Sequence, residues 1–135
     1  MFVMAGSAFT AEQTAWFARA WQTDDGLPNN HVGAIAQGAD GFLWVGTAVG
    51  LVRFDGIRFT KFPYAAAPNG DEAVSSVSVS TNGGMWIRMR SGSMAWLSPN
   101  LSQVLTPAGL PNSRAMAAIE CNDGRVWFAY PDSVW

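Results

Sequence analysis

Three stretches of the chain open on the same kind of turn pair and reach a tryptophan at the same step. They are DGFLWVGT at 40–47, NGGMWIRM at 82–89 and DGRVWFAY at 123–130. Asp40 to Asn82 is 42 positions, and Asn82 to Asp123 is 41. The segments before them match too. HVGAIAQGADGFLW, AVSSVSVSTNGGMW and AMAAIECNDGRVW set apolar residues at Val32, Val74 and Met116, and again at Ile35, Val77 and Ile119. The loop DGLPNN at 25–30 returns as AGLPNS at 108–113. One repeat unit cannot bury its apolar face alone, and copies spaced by about 40 residues fall in the range of propeller blades.

The residues inside one period predict four short strands. Asp-Gly or Asn-Gly between β-rich runs is a hairpin signal, and a type I′ turn, with positive φ at both central residues, is expected at Asp40-Gly41. A second reversal near Ala48 to Gly50 and an Asp55-Gly56 turn divide the rest into strands around Leu51 to Phe54 and IRFTKF. Four antiparallel strands in such a span make one propeller blade. The fold expected is therefore all-β, a β-propeller fragment over 12–135 with blades near 24–63, 70–105 and an incomplete 112–135. The run WFARAWQT at 16–23 falls where later repeats place an outer strand, giving one outer strand, two blades and part of a third. The second blade has lost most of its outer pattern, because RFDGIRFTKF has become AWLSPNLSQV.

The repeated residues read as scaffold. Trp44, Trp86 and Trp127 share one strand face and fill equivalent gaps between blades, where each ring buries on the order of 150–250 Å². Asp40-Gly41, Asn82-Gly83 and Asp123-Gly124 read as turn residues. Equivalent positions in separate blades stand too far apart to form an acid/base pair, so no catalytic set is assigned.

Charged residues make up only 13% and the net charge is −2, with no Lys/Arg cluster, so nothing draws the chain to nucleic acid. The single cysteine, Cys121, excludes an internal disulfide. It is placed level with Ala36 or Ser78 on the inner strand and read as a small buried residue. His31 is the only histidine, which leaves no His/Cys metal set, and no cofactor is implied. Residues 1–11 are read as a truncated signal peptide or a tail. MFVMAGSAFTAEQ is apolar and rich in small residues, with Ala8 or Ala11 as cleavage points, but it lacks a basic start. No run approaches the roughly 18 apolar residues of a membrane span.

The stretch WQTDDGLPNNHVGAIAQGADGFLWVGTAVGLVRFDGIRFTKF closely resembles the two-component regulator propeller repeat. The resemblance rests on Asp25-Gly26-Leu27-Pro28 with Asn30, on Asp40-Gly41 with Leu43-Trp44 and Gly46-Thr47, and on Gly50-Leu51 with Arg53-Phe54-Asp55-Gly56 and Phe62. The later repeats keep the spacing and lose most of these residues. The resemblance implies a periplasmic sensor segment, non-catalytic in itself. Its partners would be the remaining blades and an output domain such as a histidine kinase or diguanylate cyclase. It further implies a carbohydrate-derived small molecule as ligand, and a homodimer of the full-length protein. Two other readings compete: a fragment of a streptogramin-lyase-type propeller, whose Gly-x-x-Trp-Phe pattern DGRVWFA resembles, and a protein-interaction scaffold.

A ligand is expected where the repeats differ. The loops entering the inner strands and those joining second to third strands share one end of a propeller: Asn29 to His31, Asn112 to Arg114, Ala48-Val49 and Arg90-Ser91. In the aligned repeats His31 gives way to Ala73 and Ala115, Ala48 to Arg90 and Asn30 to Arg114. His31, Arg90 and Arg114 are therefore the ligand-binding candidates.

Overall fold

A computed structural model of the chain describes residues 18–63, 73–102, 104–111 and 114–134. The expected signal segment 1–11 and the loop residue Asn112 lie outside the described residues. Three antiparallel sheets follow one another along the chain. The first holds β1 (Val32–Gln37), β2 (Leu43–Thr47), β3 (Gly50–Phe54) and β4 (Phe59–Lys61) in that order. The second holds β5 (Val74–Val79), β6 (Met85–Met89), β7 (Met94–Leu97) and β8 (Val104–Leu105). The third is the pair β9 (Ala117–Glu120) and β10 (Val126–Ala129). Each of the first two sheets is a propeller blade.

The β1–β2 turn differs from the type I′ expectation. Gly41 has φ 82°, but Asp40 is not in the left-handed region. The Gly41 amide donates to Gly38 O at 3.0 Å and the Gly38 amide to Phe42 O at 2.9 Å. A longer loop with a single left-handed glycine therefore reverses the chain, and Asp40 Oδ1 caps it by accepting from the Phe42 amide at 3.2 Å. The same pattern recurs at Ser80–Gly84 and Cys121–Arg125. This places Cys121 level with Gly38 and Ser80, at the mouth of the turn, and not on the inner strand. It is half-buried there.

Register also corrects the third repeat by one residue. Trp44 pairs with Ala36, Trp86 with Ser78 and Trp127 with Ile119. Ala118, not Ile119, is thus the counterpart of Ile35 and Val77. Counting back, Arg114 takes the place of His31 and Ala73. The segment 18–22 forms no strand, and a single 3-10 turn follows at Thr23–Asp25. An outer strand needs a neighbour to pair with, and no described strand lies beside it. Trp21 instead sets its ring edge-on against Phe54 at 4.8 Å and Phe59 at 5.9 Å.

Most of the core lies between blades, and a smaller cluster of Leu27, Val45 and Val52 covers part of the first blade's other face. Trp44 is fully buried with Leu51, Val74, Met85, Ile87 and Leu97. Its indole N–H reaches Asp40 Oδ1 at 3.4 Å. The second gap holds Met94, Ala115, Phe128 and Tyr130, with Trp86 packed against them. Two glycines let the first two blades close. A Cβ at Gly46 would stand 2.6 Å from Val74 Cγ1, and one at Gly33 would stand 2.8 Å from Val74 O. Gly46→Ala is expected to cost about 1–3 kcal/mol by overpacking, read as a lower denaturation midpoint of the complete protein.

At the hairpin end, Thr81 Oγ1 donates to Glu120 Oε1 at 2.8 Å, tying the second blade to the third. The Ser80 and Thr81 hydroxyls hold the Glu120 carboxyl below its ordinary value of 4.5. A carboxyl with a depressed folded-state pKa stabilises above its ordinary pKa, and that stabilisation is lost as pH falls through the depressed value. Glu120→Gln should therefore lower the unfolding midpoint at neutral pH. The gap from wild type should close in acid below pH 4.5.

Candidate functional site

The inner-strand entry loops and the β2–β3 and β6–β7 loops meet at one end of the blades. The Ala48 amide donates to His31 O at 3.1 Å, and the Arg90 amide to Ala73 O at 2.8 Å. Across the second gap, the Ala115 amide donates to Gly92 O at 3.2 Å. Arg114 extends the same bridge with its side chain, donating from Nε to Ser91 O at 2.9 Å and from Nη2 to Arg90 O at 2.9 Å.

Beside this bridge, between the second and third blades, lies an open cavity of about 500 Å³. Its described lining is Ser75, Arg88, Arg90, Arg114, Ala115, Met116 and Pro131. The structure thus brings Arg90 and Arg114 together. His31 stays on the first blade's loop, exposed and outside this lining, with its amide donating to Asn29 Oδ1 at 2.7 Å.

Arg88 is the residue that sequence reading missed. It follows Ile87 on β6, and its side chain turns to the third blade, where Nη1 donates to Ala115 O at 3.3 Å. Its Nε is buried without a hydrogen-bond partner among the described residues. The signal was present in the repeat: position 46 is Gly, position 129 is Ala, and position 88 between them is Arg. A long cation had replaced a residue small enough for blades to touch.

No described carboxylate lines the cavity, and the described residues hold no group of three or more His, Cys, Asp or Glu able to bind a metal. The arrangement can hold an anion. It offers no paired acid and base. None of the repeat tryptophans lines it, Trp44 being wholly buried and Trp127 41% exposed.

Solved structures share the fold. The extracellular domain of a hybrid two component system from B. thetaiotaomicron superimposes with a TM-score of 0.68 at 22% identity, over 84% of this chain and 16% of that one. A second such domain from the same organism gives 0.65 at 19% identity, over 82% and 17%. A streptogramin B lyase gives 0.61 at 19% identity, over 81% and 41%. The chain therefore spans about a sixth of each extracellular domain's length and two fifths of the lyase's. No curated protein matches it. Within the chain, residues 26–48, which hold β1, β2 and the loop before them, match the family model described as two component regulator propeller.

Proposed function

We propose that the chain is part of an extracytoplasmic propeller that senses a small ligand for a two-component signalling protein and does no chemistry itself. The observation that carries this reading is the regulator-propeller repeat at 26–48, seated in a blade of the expected four strands. The likeness to extracellular domains of hybrid two component systems supports it. A carbohydrate-derived ligand would meet the end of the blades where Arg90 and Arg114 converge, with His31 on the neighbouring loop. The remaining blades and an output domain would complete the signalling protein, which would act as a homodimer.

The test uses the complete protein with a signalling reporter. His31→Ala with Arg90→Ala should weaken ligand-dependent output while the melting temperature stays nearly unchanged, because both side chains are exposed and serve no described packing role. Arg114 is left intact there, since its guanidinium bridges two backbone carbonyls. Full retention of the response would remove this end of the blades from sensing. Turnover of a streptogramin by the complete protein would replace sensing with the lyase reading.

A further inference from the structure

We infer that the cleft between the second and third blades is a binding site for a small organic carboxylate, held by the guanidinium groups of Arg88, Arg90 and Arg114. This gives the sensing proposal above its ligand chemistry, and it rests on that proposal only for the signalling readout.

The argument starts from two gaps built by the same repeat. In the first gap, Gly33 sits at the bulge of β1 and Gly46 on β2, and both press against Val74. Ala48 follows at the loop. The two blades meet there with no room for a side chain. In the second gap the corresponding residues are Ser75 at the bulge of β5, then Arg88, then Arg90. The residue arriving from the next blade is Arg114 where the first gap receives Ala73. Four small positions have become one serine and three arginines. The consequence is visible in the packing: β5 lies closely along β1 but touches β9 only sparsely. The space released is the cavity of about 500 Å³, within the usual range for small-molecule sites.

Two of its three cations are held in place. Arg114 is fixed by two backbone carbonyls and Arg88 by one. A guanidinium has five N–H donors, so both keep donors to spare. The Arg90 guanidinium makes no hydrogen bond or ion pair among the described residues. Three cations lining one cavity repel one another, and the buried Arg88 Nε lacks an acceptor. An anion answers both at once. A planar carboxylate matches the guanidinium fork with two parallel hydrogen bonds, and Ala115, Met116 and Pro131 give an organic body something apolar to lie against.

The experiment compares D-glucuronate with D-glucose, which differ in the carboxylate, and uses sodium sulfate as a bare anion at constant ionic strength. The complete protein is followed by thermal shift and titration calorimetry. Glucuronate should bind saturably, sulfate should compete with it, and glucose should do neither. Arg90→Ala and Arg88→Gln should each weaken glucuronate binding about tenfold or more, the loss of one charge-assisted contact. Arg58→Ala, which removes an exposed arginine from the β3–β4 turn, should leave it unchanged. Equal binding of glucose, no saturable response to glucuronate or sulfate, or an equal loss in Arg58→Ala would each overturn the assignment. Binding as expected without any change in signalling would sink the sensing proposal and leave the site standing. Loss of glucuronate binding in neither Arg90→Ala nor Arg88→Gln, with signalling intact, would sink the site and leave the sensing proposal standing.

Discussion

Trp44→Ala in the complete protein will lower folding stability by about 3–5 kcal/mol, the range for emptying a buried aromatic site. The indole is fully enclosed. One side meets Phe62 edge-on at 5.4 Å, and the rest lies among Leu51 and the second-blade residues Val74, Met85 and Ile87. Alanine would leave a void spanning two blades. Each blade is a sheet with its own hydrogen bonds, so the void cannot collapse without sliding one sheet over another. The Asp40 carboxylate would also lose the indole N–H that it accepts. Chemical denaturation of the complete protein reads the loss. A variant that still folds should keep its ligand response, because Trp44 lies away from the arginine-lined cleft. An unchanged midpoint with a lost response would overturn the scaffold role of the repeat tryptophan.

The blade itself was legible because its determinants are local. Asp-Gly pairs, alternating apolar residues and one period of about 40 specify strands and turns whatever surrounds them. The strands of the first blade fell within two residues of their expected limits, whereas the outer strand expected at 16–23 is not formed over 18–22. What was not legible depended on register. The apolar residues of an approach strand can shift by one position while the hairpin keeps its register, and those of the third repeat do: Ile119 falls level with Ala36, not Ile35. Aligning on those apolar residues hid that Arg114 takes the place of His31, and Cys121, counted back from Asp123-Gly124, falls level with Gly38 and off the inner strand. The turn type was misread for a related reason: one left-handed glycine suffices when the loop is longer than two residues. Arg88 escaped because it sits inside a strand, where scaffold was expected, and not in a loop. Its role depends on how far two blades stand apart, a quantity that no single repeat encodes. Comparing each strand position across repeats for a change from small to charged would have found it.

Residues 1–135 expressed alone will self-associate and will melt without a sharp cooperative transition. Three stacked sheets have two outward faces, and this stack leaves both apolar. On the first blade Val32 is 47% and Ile35 64% exposed. On the third, Ile119 is 65% and Trp127 41% exposed. Register explains the pairing of these residues. Ile35 lies opposite Val45 on the face turned away from the second blade, and Ile119 lies opposite Trp127 on the far face of the third. In the interior of the stack the matching positions are covered by the next sheet. A propeller covers them by closing into a ring, which takes at least about four blades. Three cannot close, and each open face fits the opposite face of another copy, which makes the contact head-to-tail and open-ended. A net charge of −2 on 135 residues supplies little repulsion against it. Analytical ultracentrifugation at micromolar concentration should therefore show a concentration-dependent series of species. Adding Arg at positions 35 and 119 should reduce the association by burdening both faces with charge. A monodisperse monomer with a single cooperative melt would show that the open faces are satisfied within one copy.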